Sequence, residues 1–103
     1  MHDPIHSEPI GSDVTAHALI ATQVYLADLE DAIAQSDYPA MRHAAHRIAE
    51  LSLSAGYTDV PRYTEQIELL STFRRDTDYT QIFDKLRATL HRHYRSAREI
   101  PAG

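Results

Sequence analysis

The stretch MRHAAHRIAELSLSAGY, residues 41–57, decides the fold class of this chain. It contains no proline, places small and apolar residues at helical spacing, and reaches a glycine at Gly56. Glycine is typical of the position just after a helix C-terminus. Upstream, Asp37 is a favourable N-cap, and Pro39 falls in a first turn, where its missing N–H costs nothing. The pattern predicts a helix over residues 38–55.

The two histidines of this predicted helix do not face the same way. At about 100° per residue, one half of the helix is small or apolar and must face a core. That half contains Met41, Ala44, Ala45, Ile48, Leu51, Ser52 and Ala55. The opposite face is centred on His46 and contains Arg42, His43, Ala49, Glu50 and Leu53. We therefore predict that His46 points to solvent and that His43 lies at the side of this face.

Helical spacing also appears on both sides of this segment. Residues 13–35 contain neither glycine nor proline, and Ser12 or Asp13 offers an N-cap. After Gly56 a third segment starts, for which Thr58 or Asp59 is the predicted cap. Short turns between successive helices favour antiparallel neighbours.

A fourth helix is predicted over residues 78–98, and no segment sustains the alternation of a strand. The fold class is therefore all-α, an antiparallel up-down four-helix bundle formed by residues 13–98. Residues 1–12 are interpreted as a flexible lead or linker because of their two prolines and low apolar content. Residues 99–103 are interpreted as a frayed tail.

Composition excludes several classes of function. The chain has 103 residues, 43% of them hydrophobic, and a net charge of −5, which suits one soluble domain and opposes general nucleic-acid binding. No apolar run is long enough to span a membrane, so we expect no direct membrane contact. Without cysteine there is no disulfide or thiolate site, and without an export signal we expect a cytoplasmic protein. Nothing predicts an obligate dimer, so we expect a monomer.

An exposed histidine in mid-helix is most often an idle surface residue. Two features favour a functional role for His46. Leu53 lies on the same outward face, and Arg42 and Arg47 flank the ring and can balance an anion on it. A metal site shared by His43 and His46 would lack ligands beyond Glu50, so no metal is predicted.

Other histidines have plainer interpretations. His91 and His93 stand two residues apart on the fourth helix and do not share a face. They are interpreted as surface imidazoles near a helix C-terminus. The first helix is expected to lie beside the second, where Leu19, Ile20 or Val24 extends the outward surface; the spacing does not choose among the three.

The segment AHRIAELSLSAG, residues 45–56, resembles the motif of histidine-containing phosphotransfer (HPt) domains, roughly A-H-x-[LI]-K-G-[SA]-[SA]-x-x-[LV]-G. The matching positions are Ala45, His46, Ile48, Ser52 and Gly56, joined upstream by Met41 and downstream by Val60 and the Ile67–Glu68 pair. The resemblance covers about residues 14–95. It departs at Ala49, where the family has lysine, and at Glu50, where it has glycine. A lysine there would balance phosphate charge, whereas Glu50 adds a like charge near any phosphoryl group.

The resemblance implies a phosphorelay function. His46 would be the phosphoacceptor that takes a phosphoryl group from a receiver-domain aspartate and passes it to another receiver. The docking rim would consist of Arg42, His43, Arg47, Ala49, Glu50 and Leu53. Such a domain is a phosphocarrier rather than an autonomous enzyme and has no cofactor of its own, because Mg²⁺ is bound by the partner receiver.

The resemblance leaves two alternatives open. The chain is either free-standing or the C-terminal part of a hybrid sensor histidine kinase, whose preceding receiver the proline-bearing lead would suit. The departures at Ala49 and Glu50 motivate a second function: a degenerate HPt-like bundle that binds a receiver or another signalling partner without carrying phosphate.

Overall fold

The computed structural model describes the backbone of residues 10–99 and the side chains of residues 17–97. This part of the chain forms four α-helices and no strand: α1 (Ile10–Ala34), α2 (Tyr38–Ser54), α3 (Pro61–Thr72) and α4 (Tyr79–Glu99). Each helix packs against the next one, and α1 also contacts α4. The predicted all-α, up-down four-helix bundle is confirmed.

Helix α2 is capped at both ends as its sequence predicts. The Asp37 carboxylate accepts a hydrogen bond from the Ala40 backbone N–H at 3.1 Å. At the other end Gly56 has φ +86°, a left-handed value that glycine adopts without a side-chain penalty. The Tyr57 N–H then bonds the Ser52 carbonyl at 2.8 Å, which is the closing contact of a Schellman motif. Both ends of the helix that carries His46 are therefore held in place.

Helix α1 starts earlier than the sequence predicts. It begins at Ile10, so Ser12 and Asp13 lie inside the helix and residues 10–12 are not part of a flexible lead. After Pro9 no residue forbids helical structure, and the glycine at position 11 lowers helix stability by only about 1 kcal/mol. The remainder of the predicted lead, residues 1–9, and most of the predicted tail, residues 100–103, lie outside the described residues.

The predicted cap of α3 is wrong. The N-cap position is Val60, whose side chain makes no capping bond, rather than Thr58 or Asp59. Val60 is fully buried, so its packing in the core fixes the start of the helix. Pro61 follows at the first helical position, where no N–H is needed.

The core is built by apolar side chains from all four helices and the α2–α3 turn. Its fully buried members are Leu29, Met41, Ile48, Val60, Ile67, Leu86 and Leu90. On α2 the predicted core face is confirmed: Met41, Ala44, Ala45, Ile48 and Ser52 are buried, and Leu51 and Ala55 are half-buried. Because this face is turned inward, His46 on the opposite side of α2 is turned outward.

His93 is not the idle surface imidazole that its position near the end of α4 suggested. Its Nε2–H donates to Asp59 Oδ1 at 2.8 Å, and its ring stacks on Tyr57 with 3.9 Å between centroids and 17° between planes. Arg92 Nη2 lies 3.8 Å from the second oxygen of Asp59. These contacts join the C-terminal half of α4 to the α2–α3 turn, which the spacing within one helix could not show.

We expect Asp59→Asn to remove part of the acid sensitivity of the bundle. The hydrogen bond from His93 lowers the pKa of the Asp59 carboxyl. A carboxyl with a lowered folded-state pKa adds stability above its unfolded pKa of about 3.9, and that stability is lost as the pH falls through the lowered value. Because Asp59 is about half exposed, the contribution is below about 1 kcal/mol.

Urea unfolding between about pH 3 and pH 7 measures this effect. The free energies of unfolding of wild type and Asp59→Asn should differ at neutral pH and converge at the acid end. Asp76→Asn is the control, because Asp76 is exposed and has no ion-pair partner among the described residues. A constant difference between wild type and Asp59→Asn across this range would contradict the assignment.

Candidate functional site

The candidate site is the solvent face of α2 around His46, whose side chain is 58% exposed. An open depression of about 360 Å³ beside the ring is lined by Pro39, Arg42, His43, His46 and Glu68. The predicted outward orientation of His46 is thus confirmed, and the residues around it come from α2 and α3. Helix α1 adds Tyr25 on the other side of α2.

Glu68 of α3 orients the His46 ring. Its Oε1 lies 3.2 Å from His46 Nδ1. A carboxylate only accepts hydrogen bonds, and the contact of Nε2 with Glu50 is longer, so the neutral ring is assigned the tautomer with its proton on Nδ1. In the neutral ring, Nε2 therefore keeps its lone pair and is the nucleophilic atom. The packing of α3 on α2 thus determines which ring nitrogen can react.

Glu50 lies between the ring and Arg47. Its Oε2 is 3.4 Å from His46 Nε2, while its Oε1 accepts a hydrogen bond from Arg47 Nη1. Arg47 is itself held by Tyr25: its Nε donates to the Tyr25 hydroxyl at 3.4 Å, and its guanidinium carbon lies 5.4 Å from the ring centre. The hydrogen bonds to Tyr25 and then to Glu50 raise the pKa of Arg47. The charge of Glu50 is therefore partly offset within the site.

Arg42 differs from Arg47 in its surroundings. It is exposed, lies one helical turn before His46 and lines the depression beside the ring. Among the described residues it has no carboxylate partner, whereas Arg47 has Glu50. The sequence left open which arginine could balance an anion on the ring, and the structure leaves Arg42 available for it.

The other predicted rim residues lie on the same face with different exposure. His43 is exposed and meets Tyr25 edge-on, with 6.4 Å between ring centroids. Leu53 is 55% exposed, as its position on the wheel predicts. Ala49 is half-buried, which leaves little of its side chain for a partner. The structure thus brings the predicted set onto one face of α2, with Arg47 and Ala49 as its half-buried members.

Helix α1 contributes two apolar side chains to the surface. Ile20 is 65% and Val24 is 57% exposed, whereas Leu19 is buried. Of the three residues that the sequence offered, Leu19 is therefore excluded from an accessible surface. Ile20 and Val24 lie one turn apart on α1 and are both exposed.

Two functional neighbours, Glu68 and Tyr25, were missed by reasoning from sequence. Glu68 had a signal, because it belongs to the Ile67–Glu68 pair that matches the family, but nothing in the spacing placed it against His46. No sequence signal pointed to Tyr25, because its contact with Arg47 joins residues 22 positions apart.

Within the described side chains, no three His, Cys, Asp or Glu residues come together in a way that could hold a metal ion. His43 and His46, the pair considered for such a site, contact different partners: His43 meets Tyr25 of α1, and His46 meets Glu68 of α3. None of the helices in the described part of the chain is both long and apolar enough to cross a bilayer.

Comparison with known proteins gives one match. A family model described as Hpt domain matches residues 17–94, which is more than half of the chain. No curated protein and no solved structure matches. The matched range includes every residue of the site described above.

Proposed function

The chain belongs to the Hpt domain family, and we propose that it is a phosphorelay intermediate whose phosphoacceptor is His46. In this proposal His46 accepts a phosphoryl group from the aspartate of a response-regulator receiver domain and passes it to a second receiver. Family membership supports phosphotransfer in two-component signalling. The exposed, oriented imidazole supports His46 as the residue that carries the phosphoryl group.

The observation that carries the proposal is the pairing of Glu68 with Nδ1 of His46. In the proposed step the Nε2 lone pair attacks phosphorus and a P–N bond forms. The P–O bond to the receiver aspartate breaks, and the carboxylate leaves with the electron pair. The Nδ1 proton stays in place, so the ring gains positive charge beside the Glu68 carboxylate, which stabilises it. Transfer to the next receiver reverses these bond changes.

The charge stabilisation of the phosphoryl group comes mainly from the partner in this proposal. A receiver domain brings the aspartate and the Mg²⁺ ion that neutralises the phosphoryl oxygens. This chain presents the nucleophile and a docking surface, as a phosphocarrier does. A hybrid sensor histidine kinase is a further partner in this scheme, as the source of the phosphoryl group that reaches the receiver.

The proposed docking surface surrounds His46 on the solvent faces of α2 and α1. Arg42 and His43 lie next to the ring, Leu53 lies two turns further along α2, and Ile20 and Val24 are exposed on α1. A small apolar area with a polar rim is typical of surfaces that bind a partner transiently. Such a surface suits a domain that meets two receivers in succession.

A second function is favoured by one distance. Glu50 Oε2 lies 3.4 Å from Nε2, within the volume that a phosphoryl group on that nitrogen would fill. A domain that only binds its receiver would keep the docking surface and have no need for a free Nε2. The alternative is therefore an HPt-like bundle that binds a receiver or another signalling partner without carrying phosphate.

The experiment is transfer from a phosphorylated receiver, with the label mapped by mass spectrometry. We expect one phosphoryl group per chain on the peptide that contains His46, stable in base and labile in acid. A receiver that binds the chain without labelling it, across a panel of receivers, would contradict the relay and support the alternative. Label on His43 or His91 instead would contradict the assignment of the acceptor.

A further inference from the structure

The Glu50 carboxylate shares its two oxygens between two cation-forming groups. Oε1 accepts a hydrogen bond from Arg47, and Oε2 lies 3.4 Å from Nε2 of His46. With the Nδ1 proton directed at Glu68, a neutral His46 has a lone pair on Nε2, which cannot donate to Glu50. The contact between Glu50 and Nε2 is therefore attractive only when the ring is doubly protonated, and such a ring has no nucleophilic nitrogen.

We infer that Arg47, braced by Tyr25, is a positioning residue that keeps Nε2 of His46 reactive by holding the Glu50 carboxylate. The inference deepens the proposed function and rests on it. Arg47 offers Glu50 a permanent positive charge, so the carboxylate does not depend on a protonated His46 for a partner. Tyr25 fixes Arg47 from α1, through the hydroxyl and the face of its ring.

Charge explains why this contact matters for phosphoryl transfer in particular. A phosphoryl group on Nε2 carries negative charge into the space beside Glu50 and displaces Oε2. If Arg47 stays hydrogen-bonded to Oε1, Glu50 moves aside as part of an ion pair that has no net charge. Without Arg47 it faces the phosphoryl group as a bare carboxylate, and a like-charge contact at about 4 Å slows acceptance by roughly fivefold at the dielectric constant of water and by more at a lower one.

Among the described residues, no other group can replace Arg47 in this task. Glu68 is already hydrogen-bonded to Nδ1, and its negative charge cannot offset the negative charge of Glu50. Arg42 lines the depression one turn before His46, whereas Glu50 lies one turn after it. Among the described lysines and arginines, Arg47 alone pairs with Glu50.

The test compares Glu50→Gln, Arg47→Ala and the double variant in two assays. The first is carbethoxylation of His46 by diethyl pyrocarbonate at neutral pH, which needs only a nucleophilic ring and no receiver. His43 and His91 in the same chain are the internal references. The second is acceptance from a phosphorylated receiver.

We expect Arg47→Ala to slow both reactions at His46 by about fivefold to tenfold and Glu50→Gln to speed both, because the carboxylate beside Nε2 is removed. In the Glu50→Gln background, Arg47→Ala should have no further effect on carbethoxylation, which involves no docking partner. Tyr25→Phe should give a smaller slowing, because the cation–π contact remains. Arg87→Ala is the matched control: Arg87 pairs with Asp84 three residues away and lies 5.4 Å from the centre of the Phe83 ring, far from the site in sequence.

The two assays separate the inference from the proposed function. Equal slowing by Arg47→Ala with and without Glu50, or no slowing in carbethoxylation, would overturn the inference even if His46 accepts phosphate. If no receiver labels the chain but carbethoxylation follows the expected pattern, the relay fails and the control of Nε2 by Arg47 stands. Circular dichroism of each variant confirms that rates are compared between folded proteins.

Discussion

His46→Gln is expected to abolish phosphoryl acceptance, with a loss of at least about a thousandfold in the rate of labelling. Glutamine is polar and similar in reach, but its amide nitrogen has no available lone pair and cannot attack phosphorus. Among the described residues, no other imidazole is oriented by a carboxylate on Nδ1 as His46 is by Glu68, so none is expected to compensate. The measurement is the rate of label transfer from a phosphorylated receiver under single-turnover conditions.

Loss of structure cannot explain that expected result. The His46 side chain is 58% exposed and lies on the face of α2 opposite the core, so His46→Gln should leave the unfolding transition within about 0.5 kcal/mol of wild type. His91→Gln is the control, an exposed imidazole on α4 outside the proposed docking surface, and should keep the transfer rate. Equal labelling of wild type and His46→Gln would exclude His46 as the acceptor.

Receiver binding by His46→Gln distinguishes the two functions considered for the chain. The proposed docking surface, with Arg42, His43 and Leu53, is unchanged in the variant, so its affinity for a receiver should remain close to that of wild type. A variant that binds but accepts no phosphate is the result that the relay predicts. A binding-only bundle predicts instead that wild type and variant behave alike in both assays.

Sequence reasoning succeeded where structure depends on contacts within one helix. The ends of α2 follow from Asp37 and Gly56, which act on backbone groups three to five residues away. The core face of α2 follows from the 3.6-residue period, and Ile48 and His46 lie on opposite sides of the helix as that period requires. Local periodicity was therefore enough to predict the fold class and the exposure of the candidate phosphoacceptor.

The periodicity of a single helix did not predict the contacts between helices. Glu68 meets His46 across 22 positions in the chain, and Asp59 meets His93 across 34. Such pairs depend on how far each helix is rotated and shifted against its neighbour, which the period of a single helix does not determine. For the same reason the sequence could not choose among Leu19, Ile20 and Val24.

The sequence shows the charge of Glu50 near His46 but does not show which residue offsets that charge. The sequence predicts that a carboxylate one turn after His46 opposes a phosphoryl group, and the 3.4 Å distance between Glu50 Oε2 and Nε2 places it close enough to do so. The i, i+3 relation with Arg47 was also visible, but which arginine pairs with Glu50 depends on side-chain conformation. Tyr25 directs Arg47 toward that pair, and Tyr25 belongs to another helix.

The second large effect is expected from Ile48→Ala, which should destabilise the bundle by about 2–5 kcal/mol. Ile48 is fully buried between the helices, so truncation removes apolar contacts and leaves a cavity that the surrounding side chains fill only in part. A loss of this size is a large fraction of the total of about 5–15 kcal/mol for a domain. Urea unfolding followed by circular dichroism measures it.

Leu53→Ala is the control on the same helix and separates stability from function. Leu53 is 55% exposed, so its truncation should change the free energy of unfolding by less than about 0.5 kcal/mol while weakening binding to a receiver. Ile48→Ala should do the reverse, since its side chain never reaches the partner. If Leu53→Ala proved as destabilising as Ile48→Ala, the division of α2 into a core face and a docking face would be wrong. Because His46 faces outward with Leu53, the same division places the proposed phosphoacceptor on the proposed docking face.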